Sequence, residues 1–123
     1  MNLLTEQKLR ELVEKFYQRV RADAALGPVF EGAIENWDHH LQLLTNFWHG
    51  VMLTSGRYKG NPMQAHYKHV ASIDPAMFGR WLGLWEQTAF EVLAPDQAEL
   101  IVSKAKRIAV SLQLGLFHGR SAA

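Results

Sequence analysis

Gly60-Asn61-Pro62-Met63-Gln64-Ala65-His66 is the stretch on which the reading of this chain turns. Asn61 is a good helix cap, and Pro62 suits the first helical position, where a missing N–H costs nothing. Together they predict a short, firmly started helix running to about Lys68. His66 falls one turn inside it, with apolar sequence on both sides. A histidine so placed can point a ring nitrogen into the interior. Taken alone it is a partly buried histidine satisfied by a backbone partner. Whether it does more depends on what the rest of the chain brings opposite it.

Working outward, every neighbouring segment reads as helix. From about Thr5 to Arg21, Leu9, Leu12, Val13, Phe16, Tyr17 and Val20 follow the 3–4 spacing of one buried face, with Thr5 as cap. Tyr17 stands inside that stripe. Asp23 to Asn36 reads as irregular, broken by Asp23 and Gly27-Pro28, with a short turn after Pro28 carrying Phe30 onto the core. Asn36 caps a second long helix ending near Thr54, and His40 lies on its inward stripe with Trp37, Leu41, Leu44, Phe47, Trp48 and Val51. Gly50 inside this helix suggests a close backbone approach. Asp74 and Pro75 start a third long helix, facing inward with Phe78, Trp81, Leu82 and Trp85. Ala94-Pro95-Asp96 separates it from a fourth, which carries Ile101, Val102, Ala105, Ile108 and Leu112. No segment alternates with period two, so the expectation is all-α without a sheet.

Composition narrows the classes. The chain has 123 residues, which suggests one domain over 1–123 with frayed ends at the first few residues and at 119–123. With 48% hydrophobic residues it is not a disordered chain. A formal net charge of +1 without a basic block gives no sign of nucleic acid or membrane partners. The absence of cysteine excludes disulfides, Cys-ligated zinc and thiolate-ligated haem. The start of the chain lacks a cleavable apolar core, and no apolar run is long enough for a bilayer. A soluble cytoplasmic protein, monomeric, is expected.

The inward polar residues limit the chemistry. A carboxylate di-iron bundle needs Glu-x-x-His pairs, and none occurs. His66-x-x-His69 has no carboxylate at matching spacing. Phosphate-loop and nucleophile-elbow patterns are missing. One histidine on a short helix, with Tyr17, His40 and Trp85 pointing inward from three other helices, fits a haem pocket, with His66 as axial ligand to the iron. The plainer alternatives are a core tyrosine bonded to a carbonyl and an indole that fills space.

Several pieces in order resemble the truncated haemoglobins, the small 2-over-2 helical globins, and specifically their third group. They are Phe16-Tyr17, Gly27-Pro28-Val29-Phe30, Trp37-Asp38-His39-His40, Asn46-Phe47-Trp48, Tyr58 to His66 and Arg80 to Trp85. The resemblance covers nearly the whole chain and implies a 2-over-2 sandwich enclosing haem b. It implies His66 as proximal ligand and Tyr17, His40 and Trp85 as distal groups, with His40 able to swing and gate access. It implies Phe30 on the haem edge and Leu44, Phe47, Trp48, Met63 and Ile108 along the pocket. Family members often carry a basic residue for the haem propionates where this chain has Leu43 and Ala65. Arg57, Tyr58, His69 and Arg80 are the substitutes on offer.

The function implied is binding of O₂, NO, CO or related ligands, for redox, NO-dioxygenase or peroxidase-like chemistry with an unidentified reductase. An O₂ or NO carrier or sensor without turnover is the second reading, and a cofactor-free interaction bundle the third.

Overall fold

A computed structural model describes residues 3–58 and 60–118. The expected frayed tail, 119–123, lies outside the described residues, as do the first two residues and Lys59 of the quoted family match. Among the described residues there is no strand.

Six α-helices follow one another: α1 (Glu6–Ala22), α2 (Leu26–Ala33), α3 (Trp37–Leu53), α4 (Pro62–Tyr67), α5 (Pro75–Val92) and α6 (Pro95–Gln113). A short 3₁₀ turn, Val70–Ser72, joins α4 to α5, and a π-helical turn, Leu114–His118, extends α6. The caps are those the sequence offers. Thr5 Oγ1 accepts from Lys8 N at 3.1 Å, Asn36 Oδ1 from His39 N at 3.1 Å, Asn61 Oδ1 from Gln64 N at 3.1 Å and Asp74 Oδ1 from Met77 N at 3.0 Å. Each satisfies an orphan N–H of a first helical turn, and each removal costs about 1 kcal/mol.

The structure differs from the sequence reading between Asp23 and Asn36, where an eight-residue helix, α2, replaces an irregular stretch. Asp23 both ends α1 and starts α2, because its Oδ1 accepts from Ala25 N and Leu26 N, both at 2.9 Å. Pro28 falls in the first turn of α2, where its missing N–H breaks nothing. Gly27 is obligatory at this corner. A Cβ there would lie 2.7 Å from the Arg21 carbonyl oxygen. Gly50 has no such role: its added Cβ would meet only Gly56 N, at an ordinary 3.9 Å.

Two helix pairs make the body, α1 with α3 and α5 with α6, joined face to face where α1 packs on α5. The core between them contains Leu9, Leu12, Val13, Phe16, Trp85 and Ile101, all with no exposed surface. Helix α4 belongs to neither pair. It packs on α6 and the π-helical turn, over a smaller cluster of Phe78, Ala109, Leu112 and Leu116. Ile108 touches both clusters.

Candidate functional site

Helix α3 makes its one broad contact with α1, yet its other apolar residues do not reach solvent freely: Leu41, Leu44, Phe47 and Val51 are each half-buried. Helix α4 likewise has no fully buried residue. Half-covered apolar side chains on α3 and α4 are the kind of lining a flat apolar group takes.

His66 arrives there from α4. Its Nδ1 lies 2.7 Å from the Pro62 carbonyl oxygen. A carbonyl only accepts, so Nδ1 carries the proton and donates. Nε2 is therefore left with its lone pair, the tautomer a metal ligand needs. Phe78 lies alongside the ring, with centroids 6.3 Å apart. Met63, three residues earlier on the same helix, seats its thioether against Gly115 of the π-helical turn, where any Cβ would collide with it.

Tyr17 of α1 and His40 of α3 come together. Their ring centroids are 5.4 Å apart, edge to face. Tyr17 is only 4% exposed and also packs on Phe16, Phe30 and Trp37. Burial pushes its phenol well above the usual range, and a hydrogen bond with Trp81 works against that. An indole can only donate, so the Tyr17 oxygen is the acceptor in this pair. Burial, and then the neighbouring His39, hold the His40 imidazole down to about 4, so it is neutral near pH 7.

Trp85 sits deeper. It is fully buried, stacked on Trp48 at 4.6 Å and on Trp81 at 5.8 Å, with Phe16 edge-on at 4.9 Å. Trp48, expected along the pocket, is itself 2% exposed and part of this core stack. Phe30, Leu44, Phe47, Met63 and Ile108 are half-buried. Two side-chain nitrogens among the described residues are buried without a hydrogen-bond partner, His40 Nε2 and Trp85 Nε1. An unsatisfied buried polar atom costs about 1–3 kcal/mol, and native folds keep few of them. Both atoms belong to residues singled out as facing a bound ligand. The sequence reading placed Trp81 on the inward face but gave it no role; its contact with the Tyr17 oxygen depends on how α1 and α5 cross, which periodicity does not reveal.

The four substitutes for a propionate partner separate here. Arg57 pairs with Glu6, and Arg80 Nε lies 2.7 Å from each oxygen of Asp23. Arg80 and the backbone amides hold the Asp23 carboxyl down to about 2. Tyr58 packs edge-on against Phe47 at 5.1 Å, its hydroxyl lying over Gly60. His69 N donates to His66 O at 2.9 Å and starts the 3₁₀ turn.

An all-helical fold with a histidine that keeps a lone-pair nitrogen and two buried nitrogens without partners has the outline of a globin. No protein-family model matches the chain. A group 3 truncated haemoglobin of Campylobacter jejuni is 32% identical over 118 residues, spanning 93% of this chain and 92% of that protein. The crystal structure of the group III truncated haemoglobin from Campylobacter jejuni superposes with a TM-score of 0.86 at 31% identity, covering 96% of this chain and 95% of that one. The chain therefore belongs to the group 3 truncated haemoglobins, and it has their truncated globin fold. Membership carries with it a haem cofactor and the binding of small diatomic ligands. The residues present fit that cofactor: the His66 tautomer and the two unpartnered buried nitrogens are what such a site requires. Among the described residues no helix is long and apolar enough to cross a membrane.

Proposed function

We propose that this chain is a haem-b globin that retains O₂ or a related diatomic ligand for redox chemistry, with NO or a peroxide as second reactant. Haem, when bound, supplies the iron at which such a ligand is held and activated. His66 is the residue to hold it, through Nε2, with the ring oriented by Pro62. Phe30, Leu44, Phe47, Met63 and Ile108 would cover its faces, and Tyr58 and His69 are left for the propionates, since Arg57 and Arg80 already have carboxylates.

The observation that carries the reading is the pair of unpartnered nitrogens on His40 and Trp85, with the buried Tyr17 beside His40. Three such groups converging on a polarised ligand favour retention over release. Neutral His40, without a partner at Nε2, is also free to swing and gate access. A reductase would return the iron to its ferrous state after each turnover, and the chain would act in the cytoplasm as a monomer.

The test is direct. Protein loaded with O₂ is mixed with NO, and nitrate is measured with the absorption spectrum. One nitrate per haem, with loss of the O₂-bound spectrum faster than spontaneous O₂ release, supports turnover. O₂ release that outpaces any reaction with NO favours a carrier.

A further inference from the structure

His40 is held in place by packing. Its Nε2 has no hydrogen-bond partner among the described residues, and its ring packs against both Tyr17 and Trp37. Trp37 meets it edge-on, with centroids 5.6 Å apart and planes at 90°. The two residues are one helical turn apart on α3, so they share a face. Trp37 also reaches Tyr17 at 5.8 Å.

Trp37 is the first residue of α3, where a helix is least constrained by its own hydrogen bonds. Something outside α3 holds it. The Arg21 guanidinium, from the last turn of α1, lies 4.3 Å from the centre of the Trp37 ring. Arg21 Nε in turn donates to Glu31 Oε1 of α2 at 2.7 Å. The result is a series of contacts running inward from solvent, Glu31 to Arg21 to Trp37, with Trp37 touching both His40 and Tyr17. Its outer members are half exposed, so they add little to the stability of the fold and can part without unfolding it. Its inner members border the proposed ligand site.

We propose that Arg21, steadied by Glu31, clamps Trp37 over His40 as a latch, and that the latch sets how often the His40 ring swings out to admit a diatomic ligand. This rests on the reading of His40 as a gate. Arg21, Glu31 and Trp37 are positioning residues that act through His40. A cation–ring contact made by a half-exposed guanidinium is worth a factor of about two to five in an equilibrium. Loss of the indole itself removes two ring contacts and is worth about ten-fold or more.

The experiment uses the haem-loaded protein with CO. CO rebinding after flash photolysis and the CO stretching band are measured in wild type, His40→Ala, Trp37→Leu, Arg21→Gln, Arg21→Lys and the His40→Ala/Trp37→Leu pair. His40→Ala and Trp37→Leu should each speed bimolecular rebinding about ten-fold. Arg21→Gln should speed it about two- to five-fold, and Arg21→Lys, which keeps a cation over the ring, should fall nearer wild type. The CO band of Trp37→Leu should move toward that of His40→Ala, because the imidazole spends less time beside the ligand. The double variant should rebind no faster than His40→Ala alone.

If His40→Ala rebinds faster but Trp37→Leu and Arg21→Gln match wild type, the latch is wrong and the gate stands. If His40→Ala itself matches wild type, the gate falls and takes the latch with it. A double variant as fast as the product of the two single effects would make Trp37 a barrier in its own right and overturn the proposal. Arg21→Gln alters only an exposed side chain, so its rate decides the matter even if Trp37→Leu folds poorly.

Discussion

Tyr17 is ringed by four side-chain rings and is 4% exposed, whereas α4, which carries His66, has no fully buried residue. The tyrosine side is assembled from α1, α2, α3 and α5, and its rigidity comes from the main core. The histidine side is a six-residue helix held by the Asn61 cap, Pro62 and a few contacts to α6 and the π-helical turn. A helix that short is not stable by itself in water. The contrast shows how the work is divided. The core fixes the donors in advance, even with unpartnered nitrogens inside it. Helix α4 is placed more lightly, by its cap and its contacts to α6 and the π-helical turn.

The largest effect that would sharpen this contrast is on the light side. His66→Gly removes the proposed ligand and leaves α4 with no claim on the cofactor. Haem should be lost on gel filtration and regained with added imidazole, which can occupy the space of the missing ring. Unchanged haem content would mean that α4 does not carry the ligand.

A smaller effect is expected on the rigid side. Trp85→Phe keeps most of the stack on Trp48 and removes the unpartnered N–H. A hydrogen bond to a partly charged acceptor is worth about 1.5–3 kcal/mol, so O₂ should dissociate at least ten-fold faster. Trp81 stacks on Trp85 and lies by Tyr17, so Trp81→Phe acts on the ligand only through those two and should change the O₂ rate by less. Equal changes for O₂ and CO in Trp85→Phe would assign that indole to packing alone.

The smallest effect is on pH. The ordinary imidazole value is 6.5, and in the folded chain burial holds His40 down to about 4. A depressed base stabilises the fold most above 6.5; that contribution is lost as pH falls from 6.5 toward 4, where the unfolded chain binds the proton and the folded chain does not. Asp23, held down to about 2 from 3.8, acts with the same sign but only below that window. Ligand association should thus stay nearly flat from pH 8 to 5 and rise toward pH 4, when a charged imidazole leaves the apolar cage. Titration near 6.5 would show His40 to be solvated.

The two sides also differed in how far they could be read from sequence. Asn61, Pro62 and His66 are a local pattern, so α4 was legible from a few residues. The inward placement of Tyr17, His40 and Trp85 followed from helical periodicity. What periodicity misses is contact between helices. It did not reveal that Trp81 reaches the Tyr17 oxygen, that Trp48 belongs to the core stack, or that Arg80 is taken up by Asp23 fifty-seven positions away. Nor did it show α2, because Pro28 and Gly27 read as breakers until Asp23 is seen capping the turn before them. Both are matters of three-dimensional partner choice, which spacing along one helix does not encode.

The central claim is that the rigid side aims its spare donors at the ligand, and the dissociation rates of O₂ and CO in wild type and Tyr17→Phe test it most directly. The substitution keeps the ring and its packing and removes only the O–H. The account expects O₂ to leave about ten to a hundred times faster in Tyr17→Phe, with CO, a poor hydrogen-bond acceptor, nearly unchanged. An unchanged O₂ rate, or equal changes for both gases, would contradict it.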